Sequence, residues 1–275
     1  MKKAILISMV LIMIFLSFAG CDNKKDNNKT TVPDSGKVAP ASDFEYTLRK
    51  DGGITISKYI GTDKNVIIPS EIEDRPVTVI SSFSTDVESV KIPDSVTLIA
   101  DNAFYCCSSL KEVSFGKELK EIGNQAFFGC ISLTEIKLPE NLTSIGSEAF
   151  ACCSYLKKVF IPKSLEVIKD DAFAYDAYLE SITFEDGLRA INGNGMFTNA
   201  VLLKEVTIPS SVTCIEYSFI GCISLKTVRF LGDAPAKLSE NVFGSPSKEI
   251  TIYYDKNTSG WDNTVLSEWY NLVAY

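Results

Sequence analysis

Histidine is absent from this chain of 275 residues. Its absence removes the usual general base of serine and cysteine hydrolases and the commonest metal ligand. None of the eight cysteines forms a C-x-x-C pair, so a zinc site is not indicated. No glycine-rich phosphate loop occurs. Paired carboxylates such as Asp170-Asp171 sit in a variable loop register that implies no pocket, and a solvated turn accounts for them better than a glycosidase pair. Basic residues are outnumbered 27 to 35, the net charge is −8, and no basic stripe is visible. Such a chain is a poor partner for nucleic acid. No unit shows a helical period, so little helix is expected. These absences point away from an enzyme, and no cofactor or metal is expected.

Long apolar runs are scarce too, with one exception. Ala4 to Ala19 carries no charge and follows Lys2 and Lys3. It falls short of the roughly 20 residues of a spanning helix and suits a secretion signal over residues 1–20. The run ends L-S-F-A-G-C, and Ala19-Gly20-Cys21 resembles a bacterial lipobox, with Phe18 where that motif usually has Leu. The resemblance implies cleavage before Cys21 and lipid on its sulfur. Two or more acyl chains would hold the protein stably, where one is marginal. Residues 21–42 are polar, hold Pro33, Gly36 and Pro40, and read as a disordered tether. Removing residues 1–20 takes away two basic residues and no acidic ones, and the net charge becomes −10.

What the chain has in abundance is one pattern. Phe104, Phe127, Phe150, Phe173, Phe197 and Phe219 recur every 22 to 24 residues, and so does an apolar column, Val87, Leu110, Leu133, Leu156, Leu179, Leu203 and Leu225. A fixed period of this length means a solenoid. Each unit has two apolar clusters. The first alternates, as in Ile136/Leu138 and Val206/Ile208, and reads as a strand with one face buried, stopped by Pro at 93, 139, 162 and 209. The second, as in Leu142/Ile145, reads as another short strand, and the Ala-Phe pair after it plugs the interior. The expected fold is mainly β: a solenoid of about seven 23-residue units, two short strands each, spanning 87–231.

Residues 43–86 are expected to cap the first unit. Phe44 to Tyr59 alternates around Asp51-Gly52-Gly53, a hairpin signature, and 66–69 with 77–80 reads as a degenerate first repeat interrupted by 70–76. Residues 232–275 form a degraded last repeat and a second cap. Thr251–Tyr254 is expected as the final strand, with Tyr253, Tyr254, Trp261, Trp269 and Tyr270 covering the last open core face; sugar stacking by the tryptophans is the alternative. The least regular unit, Leu179 to Leu202, contains Asn192-Gly193-Asn194-Gly195, where a bulge is expected.

The unit Leu-x-x-Val-x-Ile-Pro-x-Ser-Val-x-x-Ile-x-x-x-Ala-Phe-x-x-Cys resembles the bacterial BspA-like (Treponema-type) leucine-rich repeat, over about Val66 to Tyr254. That resemblance implies a curved solenoid on a bacterial surface, often adhesive, and no enzyme activity. Met196 and Ser218 depart from its Ala, and Asp176 and Ala200 from its Cys. Cys107, Cys130, Cys153 and Cys222 share that Cys column, three residues past the repeat Phe. They read as stacked, reduced core thiols rather than disulfides, because three in a row cannot pair evenly.

Partners of a solenoid meet the columns that the repeat leaves free. Outward first-strand positions here are mostly polar and mixed in sign. Phe160 is the exception, an aromatic flanked by Lys137 and Lys158, and Tyr155 and Tyr178 add aromatic character to the same units. With Glu135 these residues form the candidate ligand surface. The expectation is a lipid-anchored protein of the cell envelope or outer surface that binds an extracellular protein or glycan and meets membrane only through Cys21. The alternative is a structural envelope protein without a dedicated ligand.

Overall fold

A computed structural model describes residues 36–191, 193–239, 241–244, 249–263 and 266–275. All belong to one compact unit, Val32–Tyr275. The signal segment, Cys21 and most of the expected tether lie outside the described residues. No helix among those residues is long and apolar enough to cross a membrane. Among the described residues helix is confined to Leu266–Trp269 and to single 3-10 turns at Ala41–Asp43 and Trp261–Asn263.

Two ladders of short parallel strands run through the molecule. The first comprises Asn65–Ile67, Ser89–Lys91, Glu112–Ser114, Glu135–Lys137, Lys158–Ile161, Ser181–Phe184, Glu205–Ile208, Thr227–Phe230, Thr251–Tyr254 and Asn271–Ala274. The second begins with an antiparallel hairpin, Phe44–Leu48 with Ile54–Tyr59, turned at Gly52 with φ 89. It continues in parallel from Arg75–Ile80 through Leu98–Ile99, Glu121–Ile122 and Ser144–Ile145 to Val167–Ile168. Ala190–Ile191, Cys214–Ile215 and Lys237–Leu238 form a separate stretch of it. With the degenerate first repeat and the degraded last one, the seven regular units make about nine turns in all. The additional turns lie at the two ends, where capping residues replace the repeat letters. Thr251–Tyr254 is not the last strand, because Asn271–Ala274 pairs with it in parallel.

Residues 36–42, assigned to the tether on composition, are partly docked. Val38 bridges to Ile67, the Ala39 amide donates to the Ile67 carbonyl, and Ala39 is buried. The insertion at 70–76 folds as a small antiparallel pair, Glu71–Ile72 against Arg75–Pro76, with Glu73 and Asp74 both at positive φ.

The third side of each turn is not a strand. Here every second amide donates to the next turn: Asn102 to Asn124, Phe104 to Ala126, Cys106 to Phe128. The intervening amides close tight turns within the unit, as Tyr105 does on Asn102 and Cys107 on Phe104. This alternation requires left-handed backbone two residues before and two residues after the repeat Phe. Gln125, Glu148 and Asp171 occupy the earlier position, and Cys106, Cys152, Tyr175 and Asn199 the later one, all with φ between 54 and 65. Gly129 and Gly221 fill the later position without that strain.

The alternation also aims every repeat Phe inward. Tyr59, Phe83, Phe104, Phe127, Phe150, Phe173, Phe197, Phe219 and Phe243 form one file of rings with successive centroids 4.8 to 5.7 Å apart. Tyr270 ends the file edge-on to Phe243. Alongside runs the sulfur column. The Cys107, Cys130, Cys153 and Cys222 thiols are buried and donate to the carbonyls of Ser84, Phe104, Phe127 and Phe197 at 3.2 to 3.5 Å. All seven cysteines among the described residues are free thiols.

Burial pushes the thiols of Cys152 and Cys222 up to about 12 and raises Cys107 and Cys153 well above the usual thiol range. At pH 8 a thiol of pKa 12 is ionised in only about one molecule in 10⁴. Alkylation of the folded protein at that pH, read by mass spectrometry, is therefore expected to modify exposed Cys106 first. Cys107, Cys130, Cys153 and Cys222 are expected to react only in denaturant. Rapid labelling of the four in native buffer would refute a closed core.

Candidate interaction face

The outward columns of the first ladder are the surface that the repeat does not consume. In each strand the residue between two buried neighbours points outward, as in Lys158–Ile161, where Val159 and Ile161 are buried and Phe160 is half-buried. Parallel register then places Lys137 beside Phe160, and Phe160 beside Thr183. In the adjoining column Glu135 sits beside Lys158, and Lys158 beside Ser181. Neighbouring strands lie about 4.8 Å apart, so each pair is in side-chain reach. Glu135, Lys137 and Lys158 are exposed and form no ion pair among the described residues. Their charges are available to a partner.

Tyr155 and Tyr178 occupy another edge of the same turns. Their rings lie 5.1 Å apart at 36°, half-buried, where the chain enters the first strand. Four residues separate Tyr155 from Phe160, and the ladder register places Lys137 and Thr183, not the tyrosines, beside Phe160. The six candidate residues therefore form two neighbouring features of the same turns: a ladder patch of Glu135, Lys137, Lys158 and Phe160, and a tyrosine pair on the approach to it.

Sequence reasoning missed a second aromatic on this face. Tyr253 was expected to help cover the core end, but it points outward, and the Arg229 guanidinium lies over its ring at 4.7 Å. The cause is register: Thr251-Ile252-Tyr253-Tyr254 stacks on Thr227-Val228-Arg229-Phe230, so Ile252 is buried in line with Val228 and Tyr253 continues the outward column. Aligning those four letters with the preceding unit would have revealed it. The remaining cap aromatics do cover the core. Trp261 is buried against Phe230 and Tyr254, Tyr270 is buried on Phe243, and Trp269 packs partly buried beside them. Their role as stacking platforms for sugar is not supported.

Elsewhere the ladder face is knit by ion pairs between turns. Lys64 and Lys111 both reach Glu88, at 3.2 and 2.7 Å, and Lys226 pairs with Glu249. These pairs are exposed, and solvent and salt screen them. Among the described residues no group of three or more His, Cys, Asp or Glu is placed to hold a metal.

A parallel β-solenoid, with an aromatic file inside and free side-chain columns outside, defines a leucine-rich-repeat scaffold. The chain belongs to the family described as "BspA type Leucine rich repeat region", whose model matches residues 81–200 and 193–272 in six copies. It is similar to the leucine-rich repeat protein of Treponema pallidum, with 31% identity, a TM-score of 0.64, and coverage of 69% of this chain and 91% of that one. A leucine-rich repeat protein from Bacteroides ovatus is 26% identical at TM-score 0.61, covering 84% of this chain and 70% of the other. A leucine rich cell surface protein from Faecalibacterium prausnitzii shares the fold at 21% identity and TM-score 0.53, covering 88% and 95%. No curated protein matches.

Proposed function

We propose that this chain is a bacterial cell-surface lipoprotein whose solenoid binds an extracellular protein or glycan. The ladder patch at Glu135, Lys137, Lys158 and Phe160 is its contact, with Tyr155 and Tyr178 at the rim. One observation carries the reading: an aromatic stands mid-ladder with a lysine beside it on the neighbouring strand, among charged side chains that form no ion pair among the described residues. Aromatic anchors ringed by charged side chains are the usual centres of binding energy. The Ala19-Gly20-Cys21 motif supports the anchor, and the polar stretch after Cys21 supports a tether that holds the solenoid off the membrane.

The test is a screen of the chain from Gly36 onward on matrix-protein and glycan arrays, so that the docked Val38 and Ala39 are kept. Phe160→Ser is expected to weaken the hit about thirtyfold, the effect of losing a hot spot of 2 kcal/mol. Tyr253→Ser, on the same face but distant along the ladder, serves as the control and is expected to leave it unchanged. On cells, Cys21→Ser is expected to release the protein into the medium. Undiminished binding by a folded Phe160→Ser variant would sink the assignment.

A further inference from the structure

One junction in the solenoid differs from all the others. It lies between the turn that carries Val167–Ile168 and Ser181–Phe184 and the turn that carries Ala190–Ile191 and Glu205–Ile208. Among the described residues both ladders stop there: Val167–Ile168 has no pairing to Ala190–Ile191, and Ser181–Phe184 has none to Glu205–Ile208. At the other interruption of the first ladder, between Glu112–Ser114 and Glu135–Lys137, the second ladder runs on unbroken from Glu121–Ile122 to Ser144–Ile145. The unit at the break is one residue longer than the 23-residue repeat between Phe173 and Phe197, in the stretch around Gly193 where a bulge was expected. Gly193 approaches so closely that a side chain on it would lie 2.8 Å from the Lys169 carbonyl oxygen. An open hollow of about 340 Å³, lined by Ser147, Glu166, Val167, Ile168, Lys169 and Asp170, lies at the break.

The interior of the same junction holds Asp176. It occupies the sulfur column three residues past Phe173, is completely buried, and neither of its carboxylate oxygens accepts a hydrogen bond. The titratable groups facing it are the thiols of Cys152 and Cys153 on the preceding turn. On the following turn its column neighbour is the buried Ala200, which carries no charge. No lysine or arginine among the described residues pairs with it. Burial pushes its carboxyl well above the usual carboxylate range; the Cys153 amide, near it but outside hydrogen-bond geometry, offsets only part of that. The two turns are still joined at the turn face, where the Asp171, Phe173 and Tyr175 amides donate to Asn194, Met196 and Thr198 at 2.7 to 2.9 Å, by the Asn194 amide, which donates to Asp170 Oδ1 at 3.1 Å, and by the Phe197 ring, which meets those of Phe173 and Phe184.

We propose that this junction is a pH-sensitive seam, at which the solenoid parts into an N-terminal and a C-terminal stack when Asp176 ionises and draws in water. The sign follows from linkage. A carboxyl whose proton is held more tightly in the closed form stabilises closure fully below its solvent-exposed pKa, near 3.9, and that stabilisation is lost as pH rises toward the closed-form value. Between these limits the population of the open seam grows about tenfold per pH unit. Opening breaks the three turn-face hydrogen bonds, the bond from the Asn194 amide to Asp170, and the contacts of the Phe197 ring with Phe173 and Phe184, while among the described residues no strand pairing crosses the junction.

Hydrogen exchange of the full chain at pH 5, 6 and 7, corrected for intrinsic rates, tests this. Protection of the Asp171, Phe173 and Tyr175 amides is expected to fall about tenfold per unit, while that of the Phe127 and Phe150 amides stays level. In Asp176→Asn, and in Asp176→Cys, which restores the column residue, the slope at the seam is expected to vanish. A level seam in the native chain would overturn the proposal. So would an equal fall at all five amides, which reports global unfolding, or an unchanged slope in the variants.

Discussion

Phe150→Ala is expected to lower the unfolding free energy by about 3–5 kcal/mol, the range for truncating a large buried aromatic. The upper part of that range applies because the site cannot collapse. Phe150 is fully buried between Phe127 at 5.0 Å and Phe173 at 5.1 Å, with ring planes 3° apart on both sides. Each neighbour is held by its own bond between turns: the Phe127 amide to Ala149, the Phe150 amide to Ala172, the Phe173 amide to Met196. Closing the hole would require those backbones to approach one another, and the repeat spacing forbids it. Two stacked ring pairs are lost as well, each worth about 0.5–1.5 kcal/mol beyond area. Urea unfolding followed by circular dichroism measures the loss. A change under about 1 kcal/mol would mean that the turns can close on a missing ring, and that the file is less rigid than described.

Trp261→Ala is expected to cost a similar amount, about 3–5 kcal/mol, but to spend it differently. Trp261 is buried with its ring 4.8 Å from Tyr254 and 4.9 Å from Phe230, and its Nε1 donates to Thr258 Oγ1 at 3.0 Å. It closes one end of a stack in which each turn touches only its neighbours. Loss at an end in such a system frays the end instead of tipping the whole molecule. Exchange protection is therefore expected to vanish in Thr251–Tyr254 and Asn271–Ala274 while the Phe127 and Phe150 amides stay protected. A uniform loss along the chain would show the solenoid to be a single cooperative block.

The contrast between these two sites also shows what could be read in the letters. Phe150 was legible because its environment repeats: the same residue at the same interval meets the same neighbours, so one unit explains the next. The strand positions, the proline stops and the buried thiols followed by the same logic. Trp261 was legible in purpose but not in contact, since an end cap has no second copy to compare. Tyr253 was misread for a related reason. Its neighbours Tyr254 and Trp261 do close the core, and only the register against Thr227–Phe230 turns Tyr253 the other way.

The candidate face was half legible. Alternation identified Phe160 as outward and Lys137 as its lateral neighbour. The relation of Tyr155 and Tyr178 to that patch required the path of the chain between turn face and strand. The left-handed positions on either side of the repeat Phe escaped notice because residues as different as Gln125, Cys106, Tyr175 and Gly129 occupy them. Only Gly129, Gly195, Gly221, Asn102 and Asn199 hinted at a conformation that L-residues avoid.

By itself the sequence determined the period, the two ladders, the inward Phe file and the sulfur column, because all of these arise from apolar letters recurring at one interval. The tertiary structure alone decided the side on which Tyr253 falls and the gap between Val167–Ile168 and Ala190–Ile191. It also gave Asp176 its meaning. In the sequence Asp176 is one departure from a column. In the fold it is a fully buried carboxylate with no hydrogen-bond partner, a cost that exists only when neighbouring turns close over it.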